Sequence, residues 1–383
     1  MPDPDGDVKA RAAPGRTFEA DGAAVQIERL ADDRETEPGP RDVAHVARAV
    51  ESLEQSRLVL RRDADAVIGN LERGLAVAQA HAEFQRAWGY TLGNVPPEPQ
   101  RWQRFSDYYF NCIRAVDAQV ARLLGELDAL GLTRDTIVVF TSDHGEMGGA
   151  HGLRGKGPFA YEETIHLPMH VVHPDVRGGQ DCRALTSHID LVPSLLAMAG
   201  VDSGKRGELA GRELPGRDFS TLLTDPGKAT AHAVRDGVLF TYSGLATNDS
   251  EITRIVSEAK AAGQDPKSAM KASGYRPDFK KRGSLRTVFD GRYKFTRYFS
   301  PLQRNLPKDL DDIYRWNDIE LFDLQTDPAE MNNLGAVKGT NADLVLAMSA
   351  KLEALIKAEI GVDDGREMPQ VEGIDWRIDR MDL

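Results

Sequence analysis

Asp143 and His144 stand side by side at the end of the run Thr136-Ile137-Val138-Val139-Phe140-Thr141-Ser142. A carboxylate next to an imidazole offers one hard oxygen donor and one nitrogen donor, a plausible half of a divalent-metal shell. Gly145 follows and can relax the turn. Seven residues after His144 comes His151-Gly152-Leu153-Arg154-Gly155-Lys156. Lysine supplies a point positive charge, histidine a donor or general acid, and the glycines let backbone approach an anion. Together these are the parts that binding a tetrahedral oxyanion requires.

The elements around these residues must place them. Five apolar or β-branched residues from Thr136 to Phe140 predict a strand buried on both faces, the kind found in parallel sheets. Ligands of open α/β sheets bind at the carboxyl ends of strands, where Asp143 and His144 fall. Upstream, Ser106 opens an amphipathic helix with Ile113, Val116, Val120, Leu123, Leu127 and Leu130 at three- and four-residue spacing, and Gly131 stops it. Helix, short loop and strand follow in the order of a parallel crossover. Downstream, Pro168 to Val172 is a strand, and Ser187-His188-Ile189-Asp190 fits a capping box opening a helix that ends at Gly200. His188 and Asp190 are assigned to that cap rather than to ligation, Glu162 and Glu163 to structure, and His166 and at least one of His170 and His173 to non-ligand positions.

Composition narrows the partners. The 383 residues suit one large or two smaller domains, and a formal net charge of -12 argues against a nucleic-acid partner. Two cysteines make no disulfide framework. There is no cationic segment followed by an apolar core at the start, and no apolar run long enough to span a bilayer, so the expectation is a cytoplasmic chain with no membrane partner. Residues 1–41 are rich in Pro, Gly, Asp, Glu and Arg and predict a poorly ordered tail or loop. A core is expected over 42–225, helical from Asp42 to about Gln85, then an insertion over 226–285. Short strands near 285–288, 292–299 and 319–324 and a helix over 341–359 predict a small antiparallel α+β subdomain in 286–383.

The chain resembles the sulfatase family of the alkaline phosphatase superfamily. The likeness lies in Thr141 to Glu146, the loop His151 to Lys156, Tyr161-Glu162-Glu163 leading to Pro168, Ser187 to Leu196 with Ala199-Gly200, Arg292-Tyr293-Lys294-Phe295, and Glu320 to Glu330 with Asn332-Asn333-Leu334. Several blocks in order are far more specific than any one. The resemblance implies an alkaline-phosphatase-like, mostly parallel α/β sheet flanked by helices, incomplete here, and a sulfuric ester hydrolase acting on a small-molecule sulfate ester. It implies Asp143 and His144 as metal ligands for calcium, with manganese or magnesium open, and Lys156 and His151 as catalytic residues.

The family pattern also has an early strand ending in paired Asp residues, then Cys/Ser-x-Pro-x-Arg, whose first residue becomes the formylglycine nucleophile. Here x-x-Pro-x-Arg occurs at Ala12 to Arg16, Pro97 to Arg101 and Glu213 to Arg217, never with Cys, Ser or Thr first, and Cys112 and Cys182 lie outside such a motif. Asp32-Asp33 is on no apolar strand. The expectation is therefore a truncated member with little activity alone, prone to self-association or to pairing with a missing N-terminal segment. The alternatives are a phosphoester or phosphonate monoester hydrolase of the same superfamily, and a non-catalytic binding or structural remnant.

Overall fold

The structure, a computed structural model, describes residues 78–93, 98–244, 249–303 and 307–368. The tail expected over 1–41, the pair Asp32-Asp33 and the helical stretch from Asp42 as far as residue 77 lie outside the described residues.

Helix α1 (Gln79–Leu92) precedes the long helix α2 (Pro99–Ala129), which leads through a single 3-10 turn into strand β1 (Val138–Thr141). The helix expected to open at Ser106 starts earlier, because Pro99 takes the first helical position, where its fixed φ fits and no N–H is missed. It ends before Gly131, which adopts φ 70°. A short helix α3 (Glu162–Ile165) precedes β2 (Met169–Val172), followed by α4 (Leu191–Met198) and α5 (Ser203–Leu209). The capping box before α4 is present: Asp190 Oδ2 accepts from the Ser187 backbone N–H at 2.8 Å.

β1 pairs with β2 antiparallel, Val138 opposite Val172 and Thr141 opposite Met169. The mostly parallel sheet is thus not found, since both sheets among the described residues are antiparallel. Nor is β1 buried on both faces: among the described residues it has one strand neighbour, and Phe140 is exposed. A continuous apolar run needs cover on two sides, and no residue of β1, β2 or α2 belongs to the buried apolar clusters of the described residues.

The second sheet joins β3 (Val238–Ser243), β4 (Ser284–Phe289), β5 (Tyr293–Phe299) and β6 (Asn317–Asp323) in that order, all antiparallel. The stretch expected as an insertion supplies β3 together with helices α6 (Ser250–Ala261) and α7 (Pro266–Ser273). Helix α8 (Leu310–Trp316) leads into β6, and α9 (Ala342–Glu359) follows. Val345, Met348, Leu352 and Ile356 of α9 recur every three or four residues and pack on Val288, Phe295, Ile319 and Leu321.

β5 is buried on both faces, as is β4. Tyr293 and Phe295 join the α9 core, and Arg297 pairs with Glu353 of α9. Lys294 and Tyr298 alternate to the opposite face, where α1 and the 147–161 segment lie. That face is polar and satisfied by partners, so it leaves no continuous apolar run.

Candidate active site

The turn after β1 is held by close backbone approach. Gly145 N–H donates to Thr164 O at 2.9 Å and Glu146 N–H to Glu163 O at 3.0 Å. A Cβ at Gly145 would lie 1.9 Å from Glu163 O, so glycine is required here for space rather than for relaxing the turn. Ser142 Oγ donates to His144 O at 2.8 Å.

Asp143 and His144 meet as expected. His144 Nε2 is 3.3 Å from Asp143 Oδ2, and the His144 backbone N–H donates to Asp143 Oδ1 at 3.0 Å. His144 Nδ1 lies 2.7 Å from Gly145 O. A carbonyl only accepts, so Nδ1 carries a proton, and Nε2 is the ring nitrogen turned to the Asp143 carboxylate. The Asp143 side chain is 81% exposed and that of His144 is 35% exposed, so both are open to an ion from solvent.

The loop bearing Lys156 is a packed unit, not a solvated surface turn. Met147, Ala150 and Leu153 are buried with Phe84, Phe159, Tyr161 and Phe322. Glu146 Oε1 accepts from Gly148 N–H at 3.1 Å and Gly155 N–H at 2.6 Å, closing the loop at its neck. Gly149 and Gly155 have φ of 110° and 71°, and Cβ atoms there would meet Trp102 at 2.8 Å and Trp88 at 2.9 Å. Tryptophans from α2 and α1 thus cover backbone that only glycine allows. The loop turns Lys156 back to Asp143, with Nζ 4.0 Å from Oδ2.

His151 is turned another way. Its ring stacks on Tyr161 with centroids 3.7 Å apart and planes 5° from parallel, at a backbone φ of 53°. Burial, then the nearby His81 and Lys294, draw its pKa to about 4 against a smaller upward pull from Asp327. It is neutral above that, so at neutral pH it can donate one N–H or accept one bond, but it has no spare proton to give as an acid.

The residues set aside behave as structure. Asp190 is fully buried against Arg235. Glu162 Oε1 is 2.7 Å from Lys294 Nζ, and Glu162 Oε2 is 2.8 Å from His166 Nδ1. His170 rests against Phe140, and His173 Nδ1 accepts from the Asp175 N–H. Glu213 to Arg217, one of the x-x-Pro-x-Arg sites, closes on the cap of α4 through Arg217 N–H to Asp190 Oδ1 at 2.7 Å.

Sequence reading missed the buried polar group beneath the loop, comprising His81, Tyr161, Lys294, Tyr298, Glu320 and Glu330. The available signal was charge on the wrong parity: Lys294 and Glu320 interrupt strands otherwise rich in apolar residues.

Asp143 and His144 suit a divalent cation in donor type, one hard oxygen and one imidazole nitrogen. Among the described residues no third His, Cys, Asp or Glu joins them in a metal-holding group.

The family model described as Sulfatase matches residues 63–201, which include Asp143, His144, His151 and Lys156. An ulvan-active sulfatase of Formosa agariphila is 36% identical over 35% of this chain and 25% of its own length. An N-acetylglucosamine-6-O-sulfatase of Bacteroides thetaiotaomicron is 29% identical over 41% of this chain and 26% of its own. A solved structure described as in complex with its substrate D-glucosamine-2-N,6-O-disulfate aligns with a TM-score of 0.51 at 21% identity, over 75% of this chain and 48% of that one. A 2-O GAG sulfatase aligns at 0.50 and 19%, over 74% and 48%. The described fold is shared with these solved structures. Residues 63–201 are thus similar to the sulfatase family, and the two curated relatives are sulfatases. The matches to the two curated relatives span about a quarter of their length.

Proposed function

We propose that this chain carries part of the active site of a metal-dependent sulfuric ester hydrolase. The observation that carries the reading is the convergence of Lys156 Nζ and His144 Nε2 on Asp143 Oδ2, at 4.0 and 3.3 Å, on an exposed edge. Asp143 and His144 would hold a divalent cation, calcium first. Bound there, the cation would supply Lewis-acid stabilisation of charge on the ester oxygens. Lys156 would neutralise a sulfate oxygen or the leaving group, and His151, being neutral, would bind by hydrogen bond.

The attacking group is the missing part. No Cys/Ser-x-Pro-x-Arg occurs in the sequence, and two ligands do not make a metal shell. Turnover by this polypeptide alone is therefore expected to be low, with the nucleophile and remaining ligands coming from a segment packed on α2, β1 and β2. The substrate class supported by the relatives' names is a sulfated saccharide.

The test is hydrolysis of an aryl sulfate, an aryl phosphate and N-acetylglucosamine-6-O-sulfate by the purified chain, with calcium and with chelator, alongside calorimetric calcium binding. Weak calcium binding that disappears in Asp143→Ala, with no turnover of any ester, supports a partial site. Calcium-dependent sulfate turnover would mean that a nucleophile of another type exists and would sink the partial-site reading. Turnover of phosphate in preference to sulfate would move the chain to the phosphoester alternative.

A further inference from the structure

Beneath the 147–161 segment, residues from three distant stretches form one buried polar network. Tyr161 Oη donates to Glu320 Oε1 at 2.8 Å, and Tyr298 Oη donates to Glu320 Oε2 at 2.6 Å. His81 of α1 closes the far side with Nε2 3.1 Å from Tyr298 Oη, while its Nδ1, 4.0 Å from Glu320 Oε1, has no hydrogen-bond partner. Glu320, Tyr298 and His81 are all buried. Each carboxylate oxygen holds one phenol, so the Tyr161 ring cannot slide or tilt without leaving a buried acceptor unpaired.

The residue after Tyr161 is tied to the same sheet. Lys294 Nζ lies 2.7 Å from Glu162 Oε1 and 2.8 Å from Glu330 Oε1, and the Glu162 N–H donates to Glu330 Oε2 at 2.7 Å. On the fixed ring of Tyr161 lies the His151 imidazole, 3.7 Å away and nearly parallel. His151 holds φ 53°, which a residue with a Cβ keeps only where its surroundings enforce it.

We propose that Tyr161 is a positioning residue of the anion site: anchored by its hydroxyl on Glu320, it sets the plane of the His151 ring and with it the loop that presents Lys156. The four-stranded sheet then belongs to the site's machinery. The role at the site rests on reading the loop as a sulfate-binding element; the geometric part does not.

The experiment uses the full chain, NMR of the histidine C2–H resonances and titration with inorganic sulfate. His151→Gln identifies the His151 resonance by its loss. Tyr161→Phe keeps the stacked ring and removes only the anchor, so a shifted His151 resonance reports a moved ring. The expected result is that shift, with sulfate affinity reduced several-fold in Tyr161→Phe and on the order of ten-fold in Tyr161→Leu. An unchanged His151 resonance in Tyr161→Phe overturns the proposal, as does a shifted resonance with sulfate affinity at the wild-type value. A lowered melting temperature with both readouts unchanged would mark a purely structural tyrosine and overturns it too. If the wild-type chain binds no sulfate, the functional reading fails by itself, and the His151 resonance alone decides whether Tyr161 positions that ring.

Discussion

Lys156 Nζ stands 4.0 Å from Asp143 Oδ2, brought there by a glycine-rich loop whose neck is closed by the Glu146 carboxylate. The contact sets a positive charge beside the oxygen that a cation would need, so Lys156 opposes metal binding even as it favours an anion.

Removing that charge should therefore split two affinities. In Lys156→Met, calcium binding is expected to tighten by up to about five-fold, the scale of an exposed ion pair, while sulfate binding weakens. Calorimetry at low and high salt checks this, and the calcium effect should shrink as salt rises. Equal weakening of both ions would contradict the geometry.

Gly145 is limited by space. A methyl group there would meet Glu163 O at 1.9 Å, so Gly145→Ala must push the Asp143 turn off the 163–164 backbone. The expected cost is about 1–3 kcal/mol of stability with loss of calcium binding. Thermal unfolding and calorimetry measure the two.

Asp190 offers the contrast. It is buried with Arg235 and also accepts from the Ser187 and Arg217 backbone N–H groups. Asp190→Ala strands a buried guanidinium with Glu359 alone, and should cost about 3–5 kcal/mol. Any calcium binding by the fraction still folded should be unchanged, which would confirm a cap rather than a ligand.

Stability should peak near pH 6.5. Burial draws His81 and His151 from 6.5 to about 4, so between those values the unfolded chain binds the extra protons and acid destabilises the fold. Burial raises Glu330 from 4.5 to about 8 against the pull of Lys294, so from 4.5 to 8 the folded chain holds the extra proton and rising pH is destabilising. Above 6.5 the two histidines no longer act, and His166, raised by its hydrogen bond with Glu162, adds to the alkaline loss from Glu330. Below 4.5, Glu83 and Glu162 add to acid loss: hydrogen bonds from Ser250, Lys281 and Arg86 on Glu83, and from His166 and Lys294 on Glu162, outweigh burial and hold both near 2. Melting temperature against pH for the wild type and Glu330→Gln tests this, and the variant should show a shallower alkaline limb.

The outer stripe of α2 is apolar and uncovered, with Leu123 at 69% and Leu130 at 70% exposure. Self-association of the chain through this face is the expected outcome. Leu123→Lys with Leu130→Lys should then lower the sedimentation coefficient and leave the melting temperature nearly unchanged, since neither residue belongs to a buried cluster.

Local chemistry was legible wherever neighbours in sequence are also neighbours in space. The Asp143-His144 pair, the cap at Ser187 to Asp190, β4, β5 and β6 of the second sheet and helix α9 follow from residue type and periodicity, whereas β3 lies in a stretch that reads as an insertion. The apolar run before Asp143 was harder, because a run of that kind states that a strand wants cover on both faces but not which strands supply it. Among the described residues β1 pairs with β2 alone, antiparallel.

The sequence by itself determined the resemblance to sulfatases and the placing of Asp143 beside His144, with Lys156 in the glycine-rich loop that follows. Only the tertiary structure decided that His151 leaves that group to lie on Tyr161, and that Lys294 and Glu320 of the distant sheet stand beneath it. The physical reason is burial. A charged side chain can sit inside a sheet only with its partners in place, and those partners come from segments whose meeting no local pattern encodes.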